Sequence, residues 1–188
     1  MKRSGLFALI VVLVVIVLLG ASYVSISNSM VTSEENVNGA WAEVQNQLQR
    51  RYDLIPNLVE TVKGYAAHEE GVFSAIAEAR AKMGGARTVE ETNEAVGQME
   101  GALSRLLMVV ENYPQLKADA AFKDLMYELA GTENRIAVAR QRYNGAVQSF
   151  NVKIRTFPNS IVAGMKGLTP KTMFEAQPGA TTAPQVKF

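Results

Sequence analysis

Residues 6–24 read LFALIVVLVVIVLLGASYV, and this stretch decides the overall plan of the chain. Its nineteen residues are all apolar except Gly20 and Ser22. At roughly 1.5 Å per residue they make a helix of about 28 Å, which matches the hydrocarbon thickness of a bilayer. A lone span in lipid must satisfy its own backbone hydrogen bonds, so a helix is expected. We predict one transmembrane helix over residues 6–26.

The basic residues around this span predict its orientation. Two of them lie in a short leader, residues 1–5, whereas the next one after the span is Arg50. By the positive-inside rule, the leader stays in the cytoplasm and the rest lies on the periplasmic or extracellular side of a bacterial cytoplasmic membrane. A cleaved signal peptide is the alternative, since Gly20 and Ser22 are tolerable at the −3 and −1 positions. The length of the apolar run favours an uncleaved anchor.

The composition excludes several classes of site and partner. The 188 residues include no cysteine and a single histidine, which excludes disulfides, thiolate chemistry and metal sites built on Cys or on several His residues. Without the leader, 17 basic residues stand against 18 acidic ones. No basic domain is present, so nucleic acid is not expected as a partner.

Beyond a Ser/Asn-rich connector at residues 25–33, apolar residues recur in alternating steps of four and three. The first stripe is Val37, Trp41, Val44 and Leu48, which is typical of a helix that packs on a core or a partner helix. Similar stripes predict helices over about 58–83, 89–110 and 122–157, and no stretch alternates with period two. We predict an all-α fold, an antiparallel up-and-down bundle over residues 27–158. An irregular segment, residues 159–176, packs on it, and residues 177–188 form a flexible tail.

Capping residues predict where these helices begin and end. Starts are indicated by three capping boxes, at Thr32–Glu35, Asn57–Glu60 and Thr88–Glu91. The first of them places the start of the first bundle helix near Ser33. Gly84-Gly85 predicts a stop with a left-handed glycine cap, and Pro158 predicts the end of the last helix.

Pro56 leaves two arrangements open. A proline disfavours helix at the preceding residue and removes a backbone donor, which favours a break and a bundle of four helices. However, the apolar positions from Val37 to Val62 keep one phase across Pro56. A single kinked first helix would produce that phase, and the bundle would then have three helices. We favour the break.

The polar residues do not form a recognisable catalytic set. His68-Glu69-Glu70 lacks the second histidine, four positions on, that a zinc protease requires. The Glu-x-x-His pairs of a di-metal bundle are also absent. We predict no catalytic residue, metal or cofactor, and no enzyme activity. His68 is expected to be a surface residue, and Glu69 either reaches solvent at a bundle end or pairs with an arginine.

A charged cluster and several glycines indicate contacts instead. In RRYD, residues 50–53, either Arg51 and Asp53 cap and pair across a turn, or the cluster contacts an anion or a partner. Each glycine within a helix lowers the stability of the helix by roughly 0.5–1 kcal/mol relative to alanine, but its lack of a side chain is useful where helices or subunits approach closely. Those in the predicted helices are Gly39, Gly64, Gly71, Gly97, Gly101, Gly131 and Gly145. We therefore expect a homo-oligomer.

Three blocks of sequence resemble the LemA family of single-pass bacterial membrane proteins. They are QLQRRYDLIPNLVETVKGYAAHEE at 47–70, ENYPQLKAD at 111–119 and TENRIAVARQRYNGAVQSFN at 132–151. The resemblance implies a membrane anchor, an up-and-down helical bundle and a role in the cell envelope, with no catalytic residue. The matching positions are candidate interaction or fold-defining residues: Arg50, Arg51, Asp53, Pro56, Asn57, Glu60, His68, Glu69, Tyr113, Pro114, Glu133, Asn134, Arg140, Tyr143 and Asn144.

Together these features predict a non-enzymatic, membrane-anchored envelope protein that acts as an oligomeric scaffold or membrane-organising component. The alternative is an adaptor or partner of a membrane protease in envelope quality control. The expected partners are the lipid bilayer, further copies of the chain, and envelope or membrane-protease proteins.

Overall fold

The computed structural model describes residues 2–174, with side chains from residue 5 onwards. Six helices form this part of the chain: α1 (Lys2–Lys63), α2 (Glu70–Gly85), α3 (Val89–Val110), α4 (Pro114–Ala118), α5 (Ala120–Arg155) and α6 (Asn159–Met165). No strand occurs between residues 2 and 174, and the all-α prediction is confirmed. The predicted tail, residues 177–188, lies outside the described residues.

The helix α1 is continuous where a connector was predicted at residues 25–33. Thr32 lies within it, and its hydroxyl donates to the carbonyl of Asn28 at 3.1 Å instead of capping a new helix. Met30 is fully buried and Ser33 nearly so, which means that this segment already packs on a neighbour. The predicted helix start near Ser33 is therefore wrong, because tertiary burial maintains the helix through polar residues that alone favour a cap.

The break at Pro56 is also wrong, since Pro56 lies inside α1. A proline in a helix costs about 3 kcal/mol through its missing donor and a steric clash. Ile55, Leu58 and Val62 on either side are each at most 1% exposed, and burying such side chains is worth roughly 1.5–3 kcal/mol each. The free energy gained by burying these side chains on one face of α1 thus exceeds the cost of the proline. Asn57 does not cap either: its carbonyl accepts the Thr61 hydroxyl at 2.8 Å.

The chain breaks instead at residues 64–69, so the helix predicted over 58–83 is divided between α1 and α2. Gly64 N–H still bonds to the Glu60 carbonyl at 3.3 Å, and turns follow as far as Glu69. The predicted stop at Gly84-Gly85 agrees with the end of α2, but its geometry differs from the expected glycine cap. The next residue, Ala86, is extended, and the one positive φ among the described residues is that of Gly167.

The capping box at Thr88 is confirmed. The Thr88 hydroxyl accepts from the Glu91 N–H at 3.1 Å, and the Glu91 carboxylate accepts from the Thr88 N–H at 3.1 Å. The carboxylate also accepts from the Arg87 N–H at 2.7 Å, and these backbone donors hold the pKa of Glu91 below its usual value. Both orphan donors at the start of α3 are therefore satisfied locally.

The start of α5 is capped by Asp119. Its carboxylate accepts from the Phe122 N–H at 2.9 Å and from the Tyr65 hydroxyl at 2.9 Å, which lowers its pKa. At the other end, α5 stops at Arg155, just before a cis Phe157–Pro158 bond. The predicted end at Pro158 is confirmed to within a few residues.

The chain divides into two compact units. Among the described residues, unit 1 contains residues 2–41 and 145–171, and unit 2 contains residues 42–144 and 172–174. The largest buried side chains of unit 1 are those of Met30 and Phe150, and those of unit 2 include Met99 and Ile136. The first part of α1, in unit 1, is the single described helix long and apolar enough to cross a membrane. Its side chains from Leu6 to Leu19 are all exposed.

Candidate functional site

An ionic cluster connects three helices within unit 2. Arg51 of α1 donates through Nη1 to Oε2 of Glu133 on α5, and Oε1 of Glu100 on α3 lies 4.0 Å from the same nitrogen. The Arg51 side chain is 12% exposed, that of Glu100 22% and that of Glu133 46%. Arg51 faces inward because it follows Val44 and Leu48 in the apolar phase of α1.

This position contradicts the predicted pairing of Arg51 with Asp53. Both residues lie inside α1, where neighbours two apart point in different directions. Asp53 instead accepts from the Gln49 amide at 2.8 Å, one helical turn away. Arg51 turns inward to partners 49 and 82 positions away, which local sequence spacing does not reveal.

The electrostatics of the cluster are set by burial. Burial raises the pKa of Glu100, and the negative charge of Glu133 raises it further, while the guanidinium groups of Arg51 and Arg140 oppose both effects. Burial likewise raises the pKa of Tyr52 well above its usual range. Two carboxylates share the charge of Arg51, which joins the three helices as an ion-pair network. Among the described residues, Nε and Nη2 of the nearby Arg140 are buried without a hydrogen-bond partner.

Farther along α5, still in unit 2, three side chains hold residues 172–174. The Tyr143 hydroxyl donates to the Thr172 carbonyl at 2.9 Å, and its ring packs edge-on against Phe174 with centroids 5.4 Å apart. The Arg140 guanidinium carbon lies 5.3 Å from the Phe174 ring centroid. Asn144 donates to the Phe174 carbonyl at 3.0 Å and accepts from its N–H at 2.8 Å. The asparagine amide thus satisfies both backbone groups of a buried residue.

The same device occurs within unit 1. Asn151 donates to the Lys171 carbonyl at 2.9 Å and accepts from its N–H at 2.8 Å. The Lys171 ammonium binds Glu34 on α1 at 2.8 Å. Neither Asn151 nor Lys171 is among the predicted site residues. The signal that could have identified Asn151 is its spacing of seven from Asn144 on a helix with a heptad pattern.

The remaining predicted residues lie outside these contacts. Arg50 makes an exposed ion pair with Glu128 at 3.4 Å, and Glu60 pairs with Lys63 at 3.0 Å. Glu69 lies just before α2, where it accepts from the Tyr113 hydroxyl at 3.4 Å, so its partner is a tyrosine and not an arginine. Among the other predicted residues, Asn57, His68 and Asn134 are exposed, Pro56 is half-buried inside α1, and Pro114 begins α4.

A cavity of about 350 Å³ adjoins the ionic cluster. Arg51, Glu100 and Glu133 form its polar wall, and leucines from α1, α3 and α5 form the apolar one. Its single serine, Ser104, donates to the Glu100 carbonyl at 2.8 Å. Within residues 5–174, no three acidic or histidine side chains converge in a way that could hold a metal ion. The cavity therefore combines an ionic wall with an apolar one.

Residues 40–188 match the sequence model of the LemA family. The chain belongs to the LemA family. The matched region contains the Arg51 cluster and both asparagine contacts, so the conspicuous polar residues of this LemA-family chain hold its helices and its C-terminal segment together.

Its relatives include proteins of two kinds. Magnetosome protein MamQ 2 of Paramagnetospirillum magneticum is 27% identical over 181 residues, covering 82% of this chain and 66% of the relative. MamQ of Magnetospirillum gryphiswaldense has the same identity and coverage. Protein LemA of Metamycoplasma hominis is 27% identical over 156 residues, covering 82% of this chain and 71% of the relative. The chain thus spans just under two thirds of the length of the MamQ relatives. With its apolar first helix, this LemA-family chain has the features of a single-pass membrane protein.

Proposed function

We propose that this LemA-family protein is a non-enzymatic, membrane-anchored scaffold of the bacterial cell envelope. The observation that carries the proposal is the continuity of α1 within unit 1. The apolar span leads without a loop to Met30, which is 0% exposed, and to Val37, which is 3% exposed. A packed unit held on an uninterrupted helix has a defined orientation at the bilayer, as a scaffold requires and as a flexibly tethered enzyme does not.

The span is an uncleaved anchor in the cytoplasmic membrane, with the leader in the cytoplasm and the helical units outside. The basic leader supports this orientation. The helix continues through Gly20 and Ser22, where a signal peptide would be cut. Intact-mass measurement of the native protein tests this part of the proposal: loss of about the first twenty residues would contradict it.

The non-enzymatic role is supported by the structural contacts in which the polar candidate residues take part. Arg51, Glu133, Tyr143 and Asn144 all hold other parts of unit 2 in place. The relatives named as magnetosome proteins support a role at a membrane. Hydrolysis of any substrate by the purified protein, lost in Glu69→Ala or His68→Ala, would overturn this part.

Self-association is the action we propose for the scaffold, and the outer face of α3 is its candidate surface. Gly97, Gly101, Ser104 and Met108 lie on that face at steps of four, three and four, and all are exposed. A Cβ placed on Gly97 or Gly101 would meet nothing within 4 Å. Within residues 5–174 the two glycines therefore pack against no other part of the chain. A close approach by a second copy would offset their helix cost of roughly 1 kcal/mol each.

Native mass spectrometry and imaging of the full-length protein in mild detergent test self-association. The wild type is expected to form oligomers, whereas Gly97→Leu with Gly101→Leu is expected to be monomeric and at least as stable. Gly84→Leu, at another glycine with open surroundings, is the matched control and should assemble normally. A monomeric wild type refutes the scaffold. A membrane protease that co-purifies at one copy per chain, without self-association, would favour the adaptor alternative.

A further inference from the structure

The contacts within unit 1 show how α5 runs relative to the membrane-spanning part of α1. The Lys171 ammonium binds Glu34 and lies 5.8 Å from the ring centroid of Phe150. The Lys153 ammonium donates to the backbone carbonyl and to the hydroxyl of Ser29. As residue numbers fall along α1 towards the span, those along α5 rise. The two helix segments are therefore antiparallel, and the C-terminal end of α5 points towards the bilayer.

The turn after α5 consequently lies beside the end of the span. Arg155 is two residues beyond Lys153, about 3 Å along the helix, which places it level with residue 27 of α1. Val24, where the apolar run ends, is about 5 Å further on. The polar headgroup layer extends roughly 5–7 Å beyond the hydrocarbon core. Arg155, the first residue of the segment 155–166 that we call the basal corner, therefore lies at the depth of the lipid headgroups.

The basal corner exposes three large apolar side chains that no part of the described chain covers. Phe157 is 82% exposed, Met165 70% and Ile161 57%. Ile161 and Met165 lie one turn apart on α6 and Phe157 lies in the turn before it, whereas Val162 and Ala163 of α6 are buried. A one-sided apolar surface of this kind, next to a membrane span, is typical of an element that lies in the bilayer interface.

The charged side chains of the segment that contains the basal corner are all basic. Residues 145–171 contain Lys153, Arg155, Lys166 and Lys171 and no acidic residue. The acidic residues of α1 within unit 1 are Glu34, which is bound to Lys171, and its neighbour Glu35. Neither lies between the corner and the span. Basic side chains beside exposed apolar ones match an anionic membrane surface.

We propose that the basal corner is a second membrane contact: Phe157, Ile161 and Met165 insert into the headgroup region, and Arg155 and Lys166 bind anionic lipid phosphates. The contact stops unit 1 from tilting on its single helix. The inference rests on the proposed anchoring of α1 in the bilayer, and its occupant is the lipid leaflet that faces unit 1.

Depth-dependent fluorescence quenching tests the contact. The chain has no native cysteine, so single cysteines can be labelled with an environment-sensitive fluorophore in the full-length protein. The labelled variants are reconstituted in vesicles of phosphatidylcholine with about 30% phosphatidylglycerol and spin-labelled lipid. Ile161→Cys is expected to be quenched at least about three times as strongly as Asn38→Cys, which is exposed on α1 about 21 Å beyond Val24.

A label in the span separates failure of this inference from failure of the anchor. Val14→Cys should be strongly quenched; if it is not, the proposed anchoring itself fails. If Val14→Cys is quenched and Ile161→Cys matches Asn38→Cys, the anchor stands and the corner contact is overturned. Shielding of residue 161 from an aqueous quencher, without quenching by the lipid, would also overturn it, because a protein would then cover the corner.

The charge dependence is the second readout. Replacing Arg155 and Lys166 by glutamine should lower the ratio of membrane-bound to unbound basal corners about fivefold per residue in the anionic vesicles. The same change should have little effect in pure phosphatidylcholine. Equal quenching of the variant and the parent in anionic vesicles would refute the phosphate contact.

Discussion

Replacing Arg51 by methionine tests whether the ionic cluster holds unit 2 together. Methionine keeps the length and apolar stem of the side chain but leaves Glu100 and Glu133 without their shared cation. Removing one partner of a fully buried pair costs about 3–5 kcal/mol. Since Glu133 is 46% exposed, solvent screening lowers this expectation to about 2–3 kcal/mol at pH 7. For a chain of this size, that loss corresponds to a fall in Tm of roughly 5–10 °C.

The loss should depend on pH in a defined direction. The pKa of Glu100 is raised in the folded protein by burial and by Glu133, and Arg51 is one of the groups that hold it down. Without Arg51, folded Glu100 binds its proton still more readily than unfolded Glu100 does. Stability then falls as pH rises from the unfolded pKa through the folded pKa. The variant should therefore be closest to wild type at about pH 4 and most destabilised at neutral pH.

Thermal unfolding of the full chain in detergent, followed by circular dichroism at 222 nm, measures this effect. Arg50→Met is the matched control, because both side chains of the Arg50–Glu128 ion pair are about half exposed. Its loss should lower the free energy of unfolding by less than about 1 kcal/mol. Glu100→Gln should restore most of the stability of Arg51→Met at pH 7. Equal losses in the two arginine variants, or no rescue by Glu100→Gln, would refute the assignment of the cluster as a helix-joining network.

Three further changes test other parts of the fold. Asn144→Ala removes two hydrogen bonds to the backbone of Phe174 and should cost about 1–3 kcal/mol; proteolysis should then release the C-terminal segment faster, and an unchanged cleavage rate would contradict the role given to Asn144. Pro56→Ala restores a helix donor and should stabilise the protein by about 1–3 kcal/mol in urea titrations, whereas a loss would mean that α1 does not continue through this position. Glu91→Gln should weaken the acid dependence of stability. The backbone N–H groups that hold the pKa of Glu91 low stabilise the fold at pH values above the pKa that Glu91 has in the unfolded chain. This contribution disappears as pH falls through the pKa of Glu91 in the folded protein. Unfolding curves at pH 7 and pH 3 check the sign, and a larger difference between them in the variant would contradict it.

Much of the fold followed from local patterns. The heptad stripes predicted the α3 and α5 helices to within a few residues, and the Thr88–Glu91 capping box predicted the start of α3. These features depend on residues one or two turns apart, whose interactions are the same in any well-packed helix. The candidate residues of the sequence blocks also included Arg51, Glu133, Tyr143 and Asn144, which are among those that the structure brings into contacts between distant parts of the chain.

The errors arose where local signals opposed tertiary packing. Thr32 and Asn57 carry capping patterns and Pro56 disfavours helix, yet α1 passes through all three. Ile55 and Leu58 show why, since burying such side chains outweighs the local cost of the proline. A capping pattern predicts which residues would stabilise a helix end at that position. It carries no information on the burial of more distant side chains, which here keeps the helix continuous.

The amino-acid sequence by itself determined the membrane span, the helical class and the chemistries that are excluded. An apolar run of nineteen residues has one stable conformation in lipid, and a chain without cysteine cannot form thiolate sites whatever its fold. Only the tertiary structure decided that Glu133 and Glu100 are the partners of Arg51, that two asparagines bind the segment after α6, and that Lys153 of α5 contacts Ser29 of α1. Those features join residues dozens of positions apart in the chain, and their energy exists only when packing brings them within contact distance.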